Sequence, residues 1–268
     1  MSDPLEVVSS WPGSSAAAWR DATRESRVGV AGRTFRWASV TKVISAMALW
    51  VAVEEGTVSF DDEVGPPGAT LRHLLSHASG VAPDDDRILA PPATRRIYSN
   101  RGIELAADHL ARRAAVPFAD YLREAVIEPL GMAHTRLAGS PAHGAEGTLD
   151  DLMALGSELL EPRLVSAGTH LDATKVSFEG LPGVLPGFGF QPRNDWGLGV
   201  EVRGDKAPHW TGRTNSASTF GHFGRSGAFI WVDPVAGVTL GGLSDQQFGP
   251  WAVSAWPDLS DRVLEALR

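Results

Sequence analysis

The chain contains no cysteine, two tyrosines and, among 24 basic residues, three lysines: Lys42, Lys175 and Lys206. Without cysteine there is no thiolate nucleophile, no thiolate zinc site, no iron–sulfur cluster and no disulfide frame. Nucleophilic chemistry then falls to Ser, Thr, a carboxylate or an activated water. Basic runs are absent too, and the net charge is −8, so no nucleic-acid partner is expected. The longest apolar stretch, Val43 to Val53, is interrupted by Ser45 and is too short to span a bilayer, so no membrane partner is expected. The acidic start Met1-Ser-Asp-Pro-Leu-Glu6 lacks the charged-then-apolar layout of an export signal, which makes the cytoplasm the expected compartment.

What is present is ample core material: 268 residues, 43% hydrophobic, with nine tryptophans. Two short strands are expected around Ala31-Gly32, within Arg27–Ala38. A helix follows from Ser39 to about Glu55, on the period of Val43, Met47, Leu49-Trp50 and Val53. Further helices are expected at 70–77, 102–114, 118–130, 150–160 and 259–267. Thr148-Leu-Asp-Asp151 reads as a capping box with Asp in place of Glu. Strands are expected at 196–203, 228–233 and 238–243, and the Gly/Pro/Phe-rich segment 180–195 as an ordered loop. Strands at both ends around a helical middle predict one α/β (α+β) domain spanning 1–268. Its sheet part would comprise 1–60 and 187–268, and a mostly helical part 61–186 would be inserted beside it.

Three segments carry chemistry. Ser39-Val-Thr-Lys42 puts a hydroxyl and an amine at i and i+3, on one face at a helix start where developing negative charge is favoured. With 22 serines and three lysines, chance gives that spacing about one time in four, so it does not decide alone. Tyr98-Ser-Asn100 pairs a phenol that can relay protons with an amide that can orient a substrate. Phe220-Gly-His-Phe-Gly-Arg-Ser-Gly227 leads into a strand, and its glycines admit close approach to backbone donors.

In order and spacing the three segments resemble the serine β-lactamase and penicillin-binding-protein superfamily, most closely its class C branch with DD-peptidases, D-aminopeptidases and family VIII-type esterases. Phe35-Arg-Trp-Ala-Ser39, Leu71-Arg-His-Leu-Leu-Ser-His-Ala-Ser-Gly80 and Pro129-Leu-Gly-Met132 belong to the same likeness, which covers about residues 27 to 245. The resemblance implies an antiparallel sheet flanked by helices and an acyl-enzyme on Ser39, with Lys42 sharing and removing its proton. Tyr98 would serve as general acid/base, and Asn100 would orient the acyl-side amide. His222 and Gly224 take the places of lysine and glycine in a Lys-Thr/Ser-Gly motif, with Phe223 between them. The N–H groups of Ser39 and Arg225 would form the oxyanion hole. No metal or organic cofactor is implied, and the partner is a small ester, amide or peptide. His-Phe-Gly lacks both the fixed cation and the hydroxyl that bind a β-lactam carboxylate, with His222 cationic only part of the time near neutral pH. Esterase- or peptidase-like hydrolysis is therefore expected over β-lactamase or D-alanyl-D-alanine carboxypeptidase activity; a binding module without turnover is the other alternative.

Other readings of the residues are weaker. His73 and His77 have zincin spacing, but Leu74 stands where a zincin needs Glu. Gly224-Arg-Ser-Gly-Ala228 fails the Gly-x-Ser-x-Gly pattern at its last position. Among Phe188, Phe190, Trp196, Trp210, Phe220 and Phe223, the phenylalanines 188, 190 and 223 are the expected walls of an apolar acyl pocket, with segment 180–195 at its rim.

Overall fold

The computed structural model describes residues 3–30 and 32–267, so the expected Ala31-Gly32 turn falls partly outside the described residues. In chain order the elements are β1 (Ser15–Arg20), β2 (Glu25–Gly29), β3 (Phe35–Arg36), α1 (Thr41–Glu54), α2 (Leu71–Leu75), α3 (Asn100–Ala114) and α4 (Phe118–Leu122). There follow β4 (Arg136–Leu137), β5 (Ala145–Gly147), α5 (Leu149–Leu160), α6 (Ala167–Thr174), β6 (Gly183–Leu185) and β7 (Gly189–Gln191). The chain closes with β8 (Glu201–Val202), β9 (Phe220–Gly224), β10 (Ala228–Asp233), β11 (Val238–Ser244) and α7 (Pro250–Ala266).

A six-stranded sheet has the order β2-β1-β11-β10-β9-β8, every neighbour antiparallel. Period-two alternation sends Ala16, Ala18, Ala228, Ile230, Val232 and Leu243 to one face, against α1 and α5. Ala17, Trp19, Phe229, Trp231 and Leu240 point to the other, against α7 and the 3-10 turn Pro4–Ser10. The sheet is therefore covered on both sides, and β9, β10 and β11 are buried along their whole lengths. That double burial is why β1, Ser-Ala-Ala-Ala-Trp-Arg, carries no apolar/polar alternation and is missed by sequence reading.

Other expectations shift for local reasons. The strands of the Arg27–Ala38 region belong to different sheets: β2 pairs β1, whereas β3 pairs β5 in a small β3-β5-β4 sheet. The expected helix 118–130 tightens to α4, followed by a π turn over Arg123–Ile127. The last helix begins at Pro250, nine residues before the expected start, because Pro257 is tolerated inside it. Segment 180–195 contains the β6–β7 hairpin, so the expected division at 186/187 falls in its turn. Thr148 accepts from the Asp151 N–H at 3.3 Å, but the Asp151 carboxylate turns to the His134 N–H and the Thr135 hydroxyl instead of completing a box. Among the described residues no helix is long and apolar enough to cross a membrane.

Candidate active site

Ser39 lies in a 3-10 turn, Ala38–Val40, that runs straight into α1. Apolar residues surround α1 on every side, so Lys42, on its first turn, is fully buried instead of solvated. Its Nζ lies 3.3 Å from Ser39 Oγ, 2.6 Å from Asn100 Oδ1 and 2.9 Å from the Ala142 carbonyl. Burial brings its pKa down to about 7, while the charges of Asp84 and Glu104 act upward. A neutral amine has two N–H groups and one lone pair. The two closer acceptors take the N–H groups, which leaves the lone pair facing Ser39. Asn100 Nδ2 donates to Asp84 Oδ1 at 2.7 Å, and this fixes the Asn100 oxygen toward Lys42. Ser99 caps α3, accepting from the Gly102 N–H at 2.9 Å.

Tyr98 Oη is 3.3 Å from His222 Nε2, and the Lys42 Nζ stands 4.7 Å from the centre of the Tyr98 ring. Burial raises the Tyr98 pKa above its ordinary range, opposed by a hydrogen bond from the Ser39 side chain, so the phenol is protonated at neutral pH. His222 corrects an expectation. Buried to 3% exposure, it is held at a pKa of about 3 by burial and by the nearby Lys42 charge, and is neutral rather than partly cationic. Its Nδ1 lies 2.7 Å from the Phe223 carbonyl, which only accepts, so Nδ1 carries the proton. The Nε2 lone pair then accepts the Tyr98 hydroxyl proton, leaving the Tyr98 oxygen lone pairs free. The Lys of a Lys-Thr-Gly motif is thus replaced by an orienting acceptor.

Gly224 closes the site. A Cβ built on it would stand 2.3 Å from the Trp37 carbonyl and 3.1 Å from the Ser39 nitrogen, so only glycine lets β9 approach the Ser39 turn. Arg225 follows Gly224 at the end of β9. Ala38, between Trp37 and Ser39, has φ +44°, a left-handed conformation that costs an L-residue roughly 1–2 kcal/mol and is held by this packing. Gly224→Ala is expected to cut kcat/KM for a Ser39-dependent ester about 100-fold by pushing β9 away from the Ser39 turn, with KM little altered. Steady-state kinetics on the folded variant check this.

Ser39, Tyr98, His222 and Arg225 border a cleft of about 350 Å³. Its walls are Leu185, Pro186 and Gly187 of the β6–β7 hairpin, with Trp196, Phe223 and Phe248. The rim is therefore built by segment 180–195. Phe188 stands behind the wall, with ring centres 6.0 Å from Phe223 and 5.9 Å from Phe248. Phe190 is 68% exposed and points away, against expectation, because its place on β7 alternates outward. Phe220 joins the opposite core, and Trp210 packs behind the cleft on Glu201. Sequence reading missed Asp84, Glu201 and Phe248, whose positions depend on long-range packing, and ranked Trp196 below the phenylalanines as a wall.

His73 and His77 have structural work. His73 Nδ1 accepts from the Thr70 N–H at 3.2 Å at the start of α2, and its ring stacks on Phe178. His77 Nδ1 accepts from the Ser99 N–H at 3.2 Å, and its ring meets Trp196 edge-on, supporting the wall beside Tyr98. Among the described residues no group of three His, Asp or Glu side chains is placed to hold a metal.

A serine at a helix start, a buried amine of lowered pKa against it and a phenol at the same hydroxyl define a serine acyl-transfer site on a mixed α/β fold. The Beta-lactamase family model matches residues 10–264, and the chain belongs to that family of serine hydrolases. The structure superposes with a TM-score of 0.97 on a β-lactamase, Mb2281c, from Mycobacterium bovis, at 51% identity over 99% of both chains. A hydrolase with promiscuous acyltransferase activity, EstCE1, shares the fold at a TM-score of 0.80 and 16% identity, covering 97% of this chain and 96% of its own. Over 168 residues the chain is 26% identical to the D-alanyl-D-alanine-carboxypeptidase/endopeptidase AmpH of Escherichia coli (strain K12), covering 46% of this chain and 44% of that protein. Penicillin-binding protein 4* of Bacillus subtilis (strain 168) is 28% identical over 137 residues, covering 38% and 30%. The match thus spans less than half the length of either curated relative.

Proposed function

We propose that the protein is a serine acyl hydrolase that cleaves a small ester, amide or peptide through an acyl-enzyme on Ser39, with little activity on β-lactams. The observation that carries this reading is the Lys42 amine, whose lone pair is left for Ser39 by two other acceptors. Ser39 Oγ attacks the carbonyl carbon while its proton passes to Lys42. The oxyanion takes the N–H groups of Ser39 and Arg225. Collapse breaks the bond to the leaving group, which receives the Tyr98 proton as the hydroxyl turns away from His222 Nε2; the Lys42 ammonium returns a proton to Tyr98. Water then attacks the acyl carbon with Lys42 and Tyr98 as base, releasing the acid and free Ser39. His222 orients Tyr98, and Asn100, held by Asp84, orients Lys42 and the acyl-side polar group.

Weak β-lactam turnover follows from the neutral His222 and from Phe223, which supply no cation or hydroxyl for a carboxylate on the leaving-group side. The test is hydrolysis of p-nitrophenyl butyrate, nitrocefin and a D-amino-acid amide by the wild type and Ser39→Ala. A burst equal to the enzyme concentration on the butyrate, absent in Ser39→Ala, is expected. Absence of any Ser39-dependent turnover on all three would sink the catalytic reading, and nitrocefin turnover equal to the ester's would sink the substrate preference.

A further inference from the structure

We propose that the acyl portion of the substrate carries a carboxylate, bound in a basic cavity that adjoins the Ser39 cleft across Arg225; this rests on the acyl-hydrolase reading. Two cavities adjoin at Arg225. The apolar cleft is one, and the other, of about 530 Å³, is lined by Arg33, Arg36, Ala38, His143, Arg225 and Asp245 among others. Arg225 borders both, and Ala38 is the residue before Ser39, so the second cavity starts one residue from the reacting hydroxyl.

The charges in that cavity are unequally engaged. Arg33 pairs with Asp245 at 2.9 Å, and both are partly exposed. Arg36 stands opposite Glu146 in the β3–β5 ladder, but Glu146 is paired with Arg136. Among the described residues neither Arg36 nor Arg225, both exposed, enters an ion pair, and His143 is exposed beside them. Three arginines around one cavity contrast with a chain of net charge −8. Within the apolar cleft the other cationic groups are engaged or neutral, since Lys42 is occupied by Asn100 and Ala142, Lys206 is tied to Glu201 and His222 is neutral; Arg225, at the border with the second cavity, is the exception. A carboxylate on the substrate therefore finds its complement on the arginine side.

The site also sets which half of the substrate lies there. Tyr98, the proton donor to the leaving group, borders the apolar cleft and not the basic cavity. The leaving group accordingly occupies the cleft under the β6–β7 hairpin, and the acyl chain runs past the oxyanion amides toward Arg225. Hemiesters or hemiamides of dicarboxylic acids have this layout. β-Lactams and C-terminal peptides do not, since their carboxylate sits on the leaving-amine side of the scissile bond.

The experiment compares the mono-p-nitrophenyl ester of adipic acid with p-nitrophenyl hexanoate, equal in chain length and different in the terminal carboxylate. The expected adipate-to-hexanoate ratio of kcat/KM is about 10 at low ionic strength, and it falls toward 1 as salt screens the exposed arginines. Arg36→Gln and Arg225→Gln should each lower the ratio about threefold, whereas Arg123→Gln, on the π turn, should leave it unchanged. A ratio of 1 or below, or a ratio indifferent to both arginine substitutions, overturns the proposal while Ser39-dependent hexanoate cleavage keeps the hydrolase reading intact. No Ser39-dependent cleavage of either ester overturns both.

Discussion

Lys42→Ala should slow acylation of an activated ester by about 10³-fold or more, with the fold retained. That loss follows from removing the amine whose lone pair faces Ser39, in a unit whose members act together. Tyr98→Phe should lose about 10²-fold on substrates with poor leaving groups and less on p-nitrophenyl esters, whose phenolate departs without a proton. The wild-type acylation rate should rise with pH to a plateau with a midpoint near 7, since the amine must be neutral to accept the proton. Asp84→Asn keeps an acceptor for Asn100 Nδ2 but deletes a charge that supports the ammonium, so that midpoint should move to lower pH. Stopped-flow bursts across pH 5 to 10, the buffer range of this assay, measure both. An acylation rate in Lys42→Ala near that of the wild type would remove Lys42 from the mechanism.

The same lowered pKa has a sign for stability. Lys42 has a folded pKa of about 7 against an ordinary 10.5, so between those values the unfolded chain binds more protons than the folded one. Stability therefore rises with pH through that window, and the burial penalty is fully present below it. Lys42→Met should flatten this rise, which thermal unfolding at pH 6 and pH 9, near and beyond the folded pKa, reads directly.

The grouping of side chains around Ser39 was legible because its signal is local. Ser39 and Lys42 share a helix face, Tyr98 and Asn100 flank a cap, and Gly224 stands at a strand end, all within short motifs. What was not legible depends on contacts distant in sequence. His222 reads as a half-charged imidazole until burial beside Lys42 fixes it neutral. Asp84 sits in a polar loop like any other, and only the fold brings its carboxylate to Asn100. Strand β1 is an alanine run whose two faces are both covered, so no alternation marks it. Phe190 and Phe188 differ by two residues and look alike in sequence, yet the hairpin turns one outward and buries the other. Glu201, Lys206 and His209 carry no motif at all.

Those last three residues support the largest expected effect on stability. Glu201 on β8 is 2% exposed, and its carboxylate meets Lys206 Nζ at 2.5 Å, His209 Nε2 at 2.9 Å and Trp210 Nε1 at 3.0 Å. His209 Nδ1 accepts from the Thr211 N–H at 3.1 Å, so Nε2 is the protonated nitrogen and donates to Glu201. Lys206 also donates to the carbonyls of Asp195 and Val202, close under the cleft. Glu201→Ala would leave a buried ammonium without its counter-charge and two ring N–H groups without acceptors. A loss of about 3–5 kcal/mol is expected, seen as a fall in Tm of roughly 8–15 °C. Replacing both charges, in Glu201→Leu with Lys206→Met, should lose much less than Glu201→Ala alone, because no charge is then stranded. Burial pushes the Glu201 pKa up, but His209 and Lys206 overcome it and hold it at about 2 against an ordinary 4.5. The stabilisation is therefore complete above pH 4.5 and is lost as the pH falls toward 2, a limb that the double variant should lack. Because Glu201 lies opposite Gly221, the residue before His222, the single variant should also lose ester turnover while still folded at 20 °C, the temperature of the assay. Unchanged Tm in Glu201→Ala would show that the buried pair contributes nothing net and that the cleft wall stands without it.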